Sequence, residues 1–104
     1  MVTIEDLKEE VKEFRDRRDW KKYHTPKNLA LSISIESAEL LELFQWKEDS
    51  LKNVKKERLE EEMADIMIYI LSLSEIIDVD LNKAVKAKLK KNKKKYPPEE
   101  KHFD

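Results

Sequence analysis

Residues 36–46 read ESAELLELFQW, and residues 61–69 read EEMADIMIY. Each stretch sets two acidic residues three apart inside an apolar run: Glu36 and Glu39 in the first, Glu62 and Asp65 in the second. Residues three apart share one face of a helix. At about 100° per residue, Glu36, Glu39, Leu43 and Trp46 line one side of one helix, and Glu62, Asp65 and Tyr69 line one side of the next. Two antiparallel helices joined by a short loop turn such stripes toward each other. Four carboxylates brought together repel, and a hard divalent cation with oxygen ligands is the simplest group to hold them. Aromatic residues at either side would make the acidic cup a pocket for a metal-bound nucleotide. The same spacing also suits a charged border beside a core stripe. Trp20, Trp46 and Tyr69 equally suit core or interface positions, so spacing alone leaves both readings open.

Working outward, four helices and no strand are expected. The first spans Ile4 to Trp20, with Thr3 as N-cap, Glu5 and Asp6 in the first turn and an apolar stripe of Leu7, Val11 and Phe14. Lys21 to Thr25 connects. Thr25 caps a second helix with Pro26 at its first position, running to about Trp46. Leu29, Ile33, Leu40 and Phe44 form its stripe, but Leu31, Ile35, Leu41 and Leu43 add apolar surface on other faces. That helix is therefore central or shared with a partner. After a polar loop at Lys47 to Val54, a third helix spans Lys55 to Ile77, with Leu59, Met63, Ile66, Ile70 and Leu73 facing inward. Asp80 caps a fourth, Leu81 to Tyr96, which Pro97 and Pro98 stop. Residues 1–98 form one domain, and residues 99–104 are read as a loosely ordered tail. His24 is read as a surface or loop residue.

Composition narrows the chemistry. The chain has 104 residues, 43 % of them charged and 39 % hydrophobic, so its core is thin and oligomerisation is a natural way to bury more. It has no Gly, which excludes glycine-rich phosphate loops and nucleophile elbows, and no Cys, which excludes thiolate sites. Its two His, His24 and His102, are remote in sequence from the acidic pairs. Positive charge for any phosphate chemistry must then come from metal ions, Lys or Arg. The net charge is -1, which does not suit a nucleic-acid binder, although eight Lys crowd the segment from Lys83 to Lys95. No stretch has the length and apolarity of a membrane span, and the N-terminus lacks a signal-peptide pattern; a cytoplasmic location is expected.

The run from Arg18-Asp19-Trp20 through Tyr23-His24-Thr25-Pro26-Lys27-Asn28-Leu29, the two acidic segments, and the closing Asp80-Leu81 to Tyr96-Pro97 resemble, in order and near-family spacing, the MazG-like all-α nucleoside triphosphate pyrophosphohydrolases. Within them the small dCTP pyrophosphatase branch is most similar. The resemblance implies a four-helix bundle completed by tight homodimerisation, as a dimer or a dimer-of-dimers tetramer. It also implies Mg²⁺-dependent hydrolysis of dCTP or a related nucleotide to the monophosphate and pyrophosphate, serving nucleotide-pool sanitation, with Mn²⁺ able to substitute. It assigns the metal and the catalysis to Glu36, Glu39, Glu62 and Asp65, the base to Trp20, Trp46 and Tyr69, and further nucleotide contacts to Lys88 and Asn92. Glu36 would orient or deprotonate the attacking water, with Lys88, Lys27 and Lys95 offsetting phosphate charge. Two departures stand out: Val11 replaces a His of the animal enzymes, and the loop between the second and third helices is shorter.

Two other readings compete with this one. A carboxylate-bridged di-iron or di-manganese bundle needs Glu-x-x-His motifs, and neither His follows a Glu at that spacing. A non-catalytic dimerisation or nucleic-acid module would use the Lys-rich fourth helix, but balancing acidic charge and the lack of interleaved aromatic residues weigh against it.

Overall fold

The computed structural model describes residues 1–45 and 54–98, and these are helical, with no strand among them. The helices are α1 (Ile4–Arg17), α2 (Pro26–Glu42), α3 (Lys56–Ile76) and α4 (Leu81–Lys95), with a single 3-10 turn at Lys21–Tyr23. The expected caps are in place. The Thr3 hydroxyl accepts from the Asp6 backbone N–H while the Asp6 carboxylate accepts from Thr3 N–H, a reciprocal capping box. Thr25 accepts from Asn28 N–H ahead of Pro26, and Asp80 accepts from Lys83 N–H.

Two helices end earlier than the sequence pattern suggests. α1 stops at Arg17 rather than Trp20, because Asp19 takes a left-handed conformation (φ 54°) that folds the chain back. The Trp20 N–H then donates to the Arg15 carbonyl, closing the turn. α2 stops at Glu42, and Leu43, Phe44 and Gln45 follow with N–H groups bonded three residues back. The expected helical extension to Trp46, and the expected tail at residues 99–104, lie outside the described residues.

α3 is the centre of the structure. α2 packs along it on one side and α1 on another, whereas α4 touches the other helices only at isolated points. The α3–α4 turn is fixed by Asp78 (φ 56°), by Val79 N–H donating to Ser74, and by Lys8 of α1 donating to the Val79 carbonyl at 2.9 Å. Among the described residues the fully buried apolar ones are Leu29 of α2 and Leu71 of α3. Several residues of the apolar stripes are open in the single chain, Leu7 and Phe14 of α1 and Met63 of α3, and so are Val85 and Leu89 of α4. Leu31, Ile35 and Leu41, the extra apolar faces of α2, are more than half exposed.

The helices are therefore held by few fully buried contacts, and each should matter. Leu29→Ala is expected to cost about 2–5 kcal/mol, the range for truncating a buried leucine. Denaturant unfolding of the variant checks this, and Leu41→Ala, at an exposed position, is the control.

Candidate functional site

Packing of α2 on α3 brings the two acidic segments together. One carboxylate oxygen each from Glu36, Glu62 and Asp65 lie within 4.8 Å of one another. Glu36 and Glu62 are half-buried, and Asp65 is exposed. Glu39, the fourth expected member, stands outside this tight group but hydrogen-bonds Glu36. It also lines an open cavity of about 340 Å³ with Glu42, Leu43, Arg58 and Glu62. Arg58 thus sets a cation beside the carboxylates that the sequence pattern did not single out.

The cluster is electrostatically unfinished. Oε2 of Glu36 and Oε2 of Glu62 are buried and meet no hydrogen-bond partner among the described residues. Buried polar atoms in folded proteins are almost always partnered. The pKa of Glu36 is pushed up to about 7 from its ordinary 4.5. The hydrogen bond to Glu39 is the largest cause, followed by partial burial, the charge of Glu39, the bond to Glu62 and the charge of Asp65. Acceptor-only oxygens with no donor, raised in pKa by one another, are what a hard divalent cation satisfies. The donor set fits Mg²⁺ or Mn²⁺, which favour carboxylate and water oxygens.

Next to the cluster lies a second cavity, of about 230 Å³. Asp65 lines it together with Tyr69 and Ile68 from α3, Val11, Phe14 and Arg15 from α1, and Trp20 and His24 from the connection. Trp20 is propped against Phe14 edge-to-face at 5.6 Å, and the Arg18 guanidinium covers the Phe14 ring at 3.5 Å. The sharp turn at Asp19 thus delivers Trp20 to the cavity rather than continuing α1. Of the expected aromatic residues, Trp20 and Tyr69 are brought together here, and Trp46 lies outside the described residues.

The other expected contacts are not assembled. Lys27 is exposed in the first turn of α2, and neither cavity lining includes it. Lys88 and Lys95 are exposed on α4, Lys95 lying 5.4 Å from the Tyr96 ring, and Asn92 is half-buried there. Because α4 barely touches the rest of the chain, these residues line neither cavity.

Two cavity residues escaped the sequence reading. His24, expected on the surface, is half-buried with its ring 6.4 Å from that of Trp20 and its Nδ1 buried without a partner. Burial, and then the nearby positive charge of Arg15, push its pKa below the usual value, which favours the neutral imidazole. Nothing in the sequence around His24 signals this. Arg15 did carry a signal: it lies four residues after Val11, so a charge occupies the face of an apolar stripe.

The profile of the MazG-like family matches residues 31–103. The chain belongs to the MazG-like family. It is 42 % identical over 101 residues to dCTP pyrophosphatase 1 of Rattus norvegicus and 41 % identical to that of Homo sapiens, each match covering 91 % of this chain. The chain spans 59 % of the length of these relatives. Its fold matches the crystal structure of a pyrophosphatase from Archaeoglobus fulgidus DSM 4304, with a TM-score of 0.86 and 49 % identity, covering 94 % of this chain and 95 % of that one. The all-α architecture is therefore shared with that solved pyrophosphatase.

The raised pKa has a consequence for stability. The folded protein keeps the Glu36 proton that the unfolded chain releases at the ordinary carboxylate value. Between about pH 4.5 and about pH 7 the native state binds more protons at this group, so its contribution to stability falls as pH rises, and the loss is complete above that window. Glu36→Gln removes the effect. Melting temperatures in a chelator should show this variant gaining on the wild type as pH rises from about 5 to about 8. Parallel curves would mean that Glu36 ionises normally.

Proposed function

We propose that this protein hydrolyses a nucleoside triphosphate to the monophosphate and pyrophosphate with the help of Mg²⁺, and that dCTP or a related pyrimidine deoxynucleotide is its substrate. The carrying observation is that Asp65 belongs to two places at once. It is a member of the carboxylate triad and a wall of the cavity that Trp20 and Tyr69 line. A nucleotide needs this juxtaposition, because its phosphates and its base lie at opposite ends of one small molecule. The names of the relatives, a dCTP pyrophosphatase and a pyrophosphatase, support the same reaction.

In this reading Glu36, Glu62 and Asp65 hold the metal, and Glu39 supports them through its bond to Glu36. When bound, Mg²⁺ neutralises phosphate charge and makes a water easier to deprotonate. Glu36 has its lone pairs turned into the triad, whereas Glu39 is outside it and open to the neighbouring cavity. That geometry favours Glu39 over Glu36 as the carboxylate that orients the attacking water and takes its proton. Arg58, at the same cavity, offsets phosphate charge as it accumulates. Trp20 and Tyr69 enclose the base, and stacking on such rings is worth roughly 1–3 kcal/mol per base.

Self-association is part of the proposal. Apolar side chains on α1, α2, α3 and α4 are exposed, and among the described residues α4 touches the other helices only at isolated points. Large exposed apolar surface marks an interaction site. A homodimer or a dimer of dimers would cover it.

Three measurements test this reading. A panel of dNTPs and NTPs with Mg²⁺ should release pyrophosphate rather than orthophosphate, with dCTP or a near relative turned over best. Asp65→Asn should lower kcat/KM by at least about a hundredfold, since even outer neighbours of metal ligands cost 10- to 100-fold when changed. Wild-type turnover by this variant would remove Asp65 from the metal site. Light scattering after size exclusion should give a mass of two or four chains, and a monomer at working concentration would contradict the interface.

A further inference from the structure

Arg58, Glu62, Asp65 and Tyr69 follow one another along α3 at steps of four, three and four residues. That spacing keeps them on one helix face. Their order along the helix is also the order of the site. Tyr69 and Asp65 line the cavity that Trp20 lines, Asp65 and Glu62 belong to the carboxylate triad, and Glu62 and Arg58 line the open cavity of about 340 Å³. The two cavities have no lining residue in common, so the triad stands between them. At about 1.5 Å of rise per residue, the backbones of Tyr69 and Arg58 are roughly 16 Å apart. An extended nucleoside triphosphate spans such a distance from its base to its last phosphate.

Helix stability does not account for Arg58. It stands in the first turn of α3, after Lys55 and Lys56, where cations oppose the helix dipole. It is exposed, and it forms no ion pair among the described residues, although Glu62 follows it by one turn. Its guanidinium is therefore open to the cavity it lines, in contrast to Arg15, which is buried and bound to two carboxylates. The other lining residues are Glu39, Glu42, Leu43 and Glu62. Three carboxylates repel a bare anion, so a phosphate group enters this cavity together with Mg²⁺. Arg58 then offers paired, planar donors that match phosphate oxygens.

We propose that Arg58 binds the outer two phosphates of the substrate, so that it selects triphosphates over diphosphates and holds pyrophosphate as a product. The inference rests on the nucleotide reading of the site. It adds the direction in which the substrate lies, with the base toward Tyr69 and the phosphate chain toward the start of α3. A nucleoside monophosphate seated with its base in the aromatic cavity reaches the triad and stops short of Arg58.

Binding without turnover separates this residue from the reaction. Affinities of inorganic pyrophosphate and of dCMP, each with Mg²⁺, are measured by titration calorimetry for the wild type, Arg58→Gln and Arg58→Lys. The ratio of kcat/KM for the best triphosphate over its diphosphate is measured alongside. Arg58→Gln should weaken pyrophosphate by about 10- to 100-fold, the loss expected for a charge-assisted contact, and change dCMP by less than about threefold. The preference for the triphosphate should fall by at least about tenfold in the same variant. Arg58→Lys keeps the charge and should bind pyrophosphate within about tenfold of the wild type. Equal loss of pyrophosphate and dCMP would make Arg58 a support of the whole site and overturn the proposal. A wild type without measurable affinity for pyrophosphate, or an affinity unchanged in Arg58→Gln, would do the same. If pyrophosphate binds through Arg58 but none is released from any triphosphate, the hydrolase reading fails and the anion-binding role of Arg58 stands. If triphosphates are cleaved to pyrophosphate while Arg58→Gln keeps the affinity and the preference, the reaction stands and the role of Arg58 falls.

Discussion

The rest of this structure depends on forcing carboxylates from two helices into contact. Glu36, Glu62 and Asp65 sit within 4.8 Å of one another, and Glu39 presses on Glu36. Such a cluster opposes the α2–α3 packing that creates it, so the helix pair must be held by contacts elsewhere. Leu29 and Leu71, fully buried, supply apolar contact away from the acids. The Arg15–Glu75 pair ties α1 to the C-terminal part of α3, and Lys8 ties α1 to the turn beyond it. A domain with so small a buried core tolerates the repulsion only because these anchors lie at the other end of α3. Active sites commonly sit where a protein gives up stability in this way.

The aromatic wall follows from a backbone event rather than from helix periodicity. Asp19 in the left-handed region ends α1 and lets the Trp20 N–H return to the Arg15 carbonyl. Trp20 then leans on Phe14, whose other neighbour is the Arg18 guanidinium. A residue read as the last turn of a helix becomes the side of a cavity. The same turn leads into the short 3-10 segment that places His24 beside Trp20.

Helix number, the three side-chain caps and the meeting of the acidic pairs were legible, because each depends on local rules. Capping needs only Thr3, Thr25 and Asp80 at the right places, and convergence needs only period 3.6 on two helices that pack. α1 and α2 end at Arg17 and Glu42, before the stops the periodicity predicts, and no Gly or Pro marks either end. Asp19 adopts positive φ without the residue type that usually signals it. Leu29 is buried where its stripe predicts, whereas Met63 of the α3 stripe is exposed in the single chain, as are Val85 and Leu89 of α4. Apolar periodicity records that a face is covered in the working molecule, and says nothing about which chain covers it. The partial burial of His24 depends on the fold of the connection, which no spacing rule encodes, whereas Arg15, four residues after Val11, is a charge on the face of an apolar stripe.

The two ends of the site solve the buried-charge problem in opposite ways. At the carboxylate end negative charge is in excess, with orphaned oxygens on Glu36 and Glu62 and a proton held on Glu36 up to about pH 7. In the neighbouring cavity one buried cation, Arg15, is balanced by two carboxylates, and the rings of Trp20 and Tyr69 form part of the lining. The first end calls for a cation, and through it for an anion such as a phosphate chain. The second suits a flat, neutral group that packs against rings. Asp65 belongs to both linings, so a ligand that satisfies the two ends must carry its anionic and its planar parts on one molecule. Neither a free metal ion nor a free base meets both demands, whereas a nucleotide with its counter-ion does.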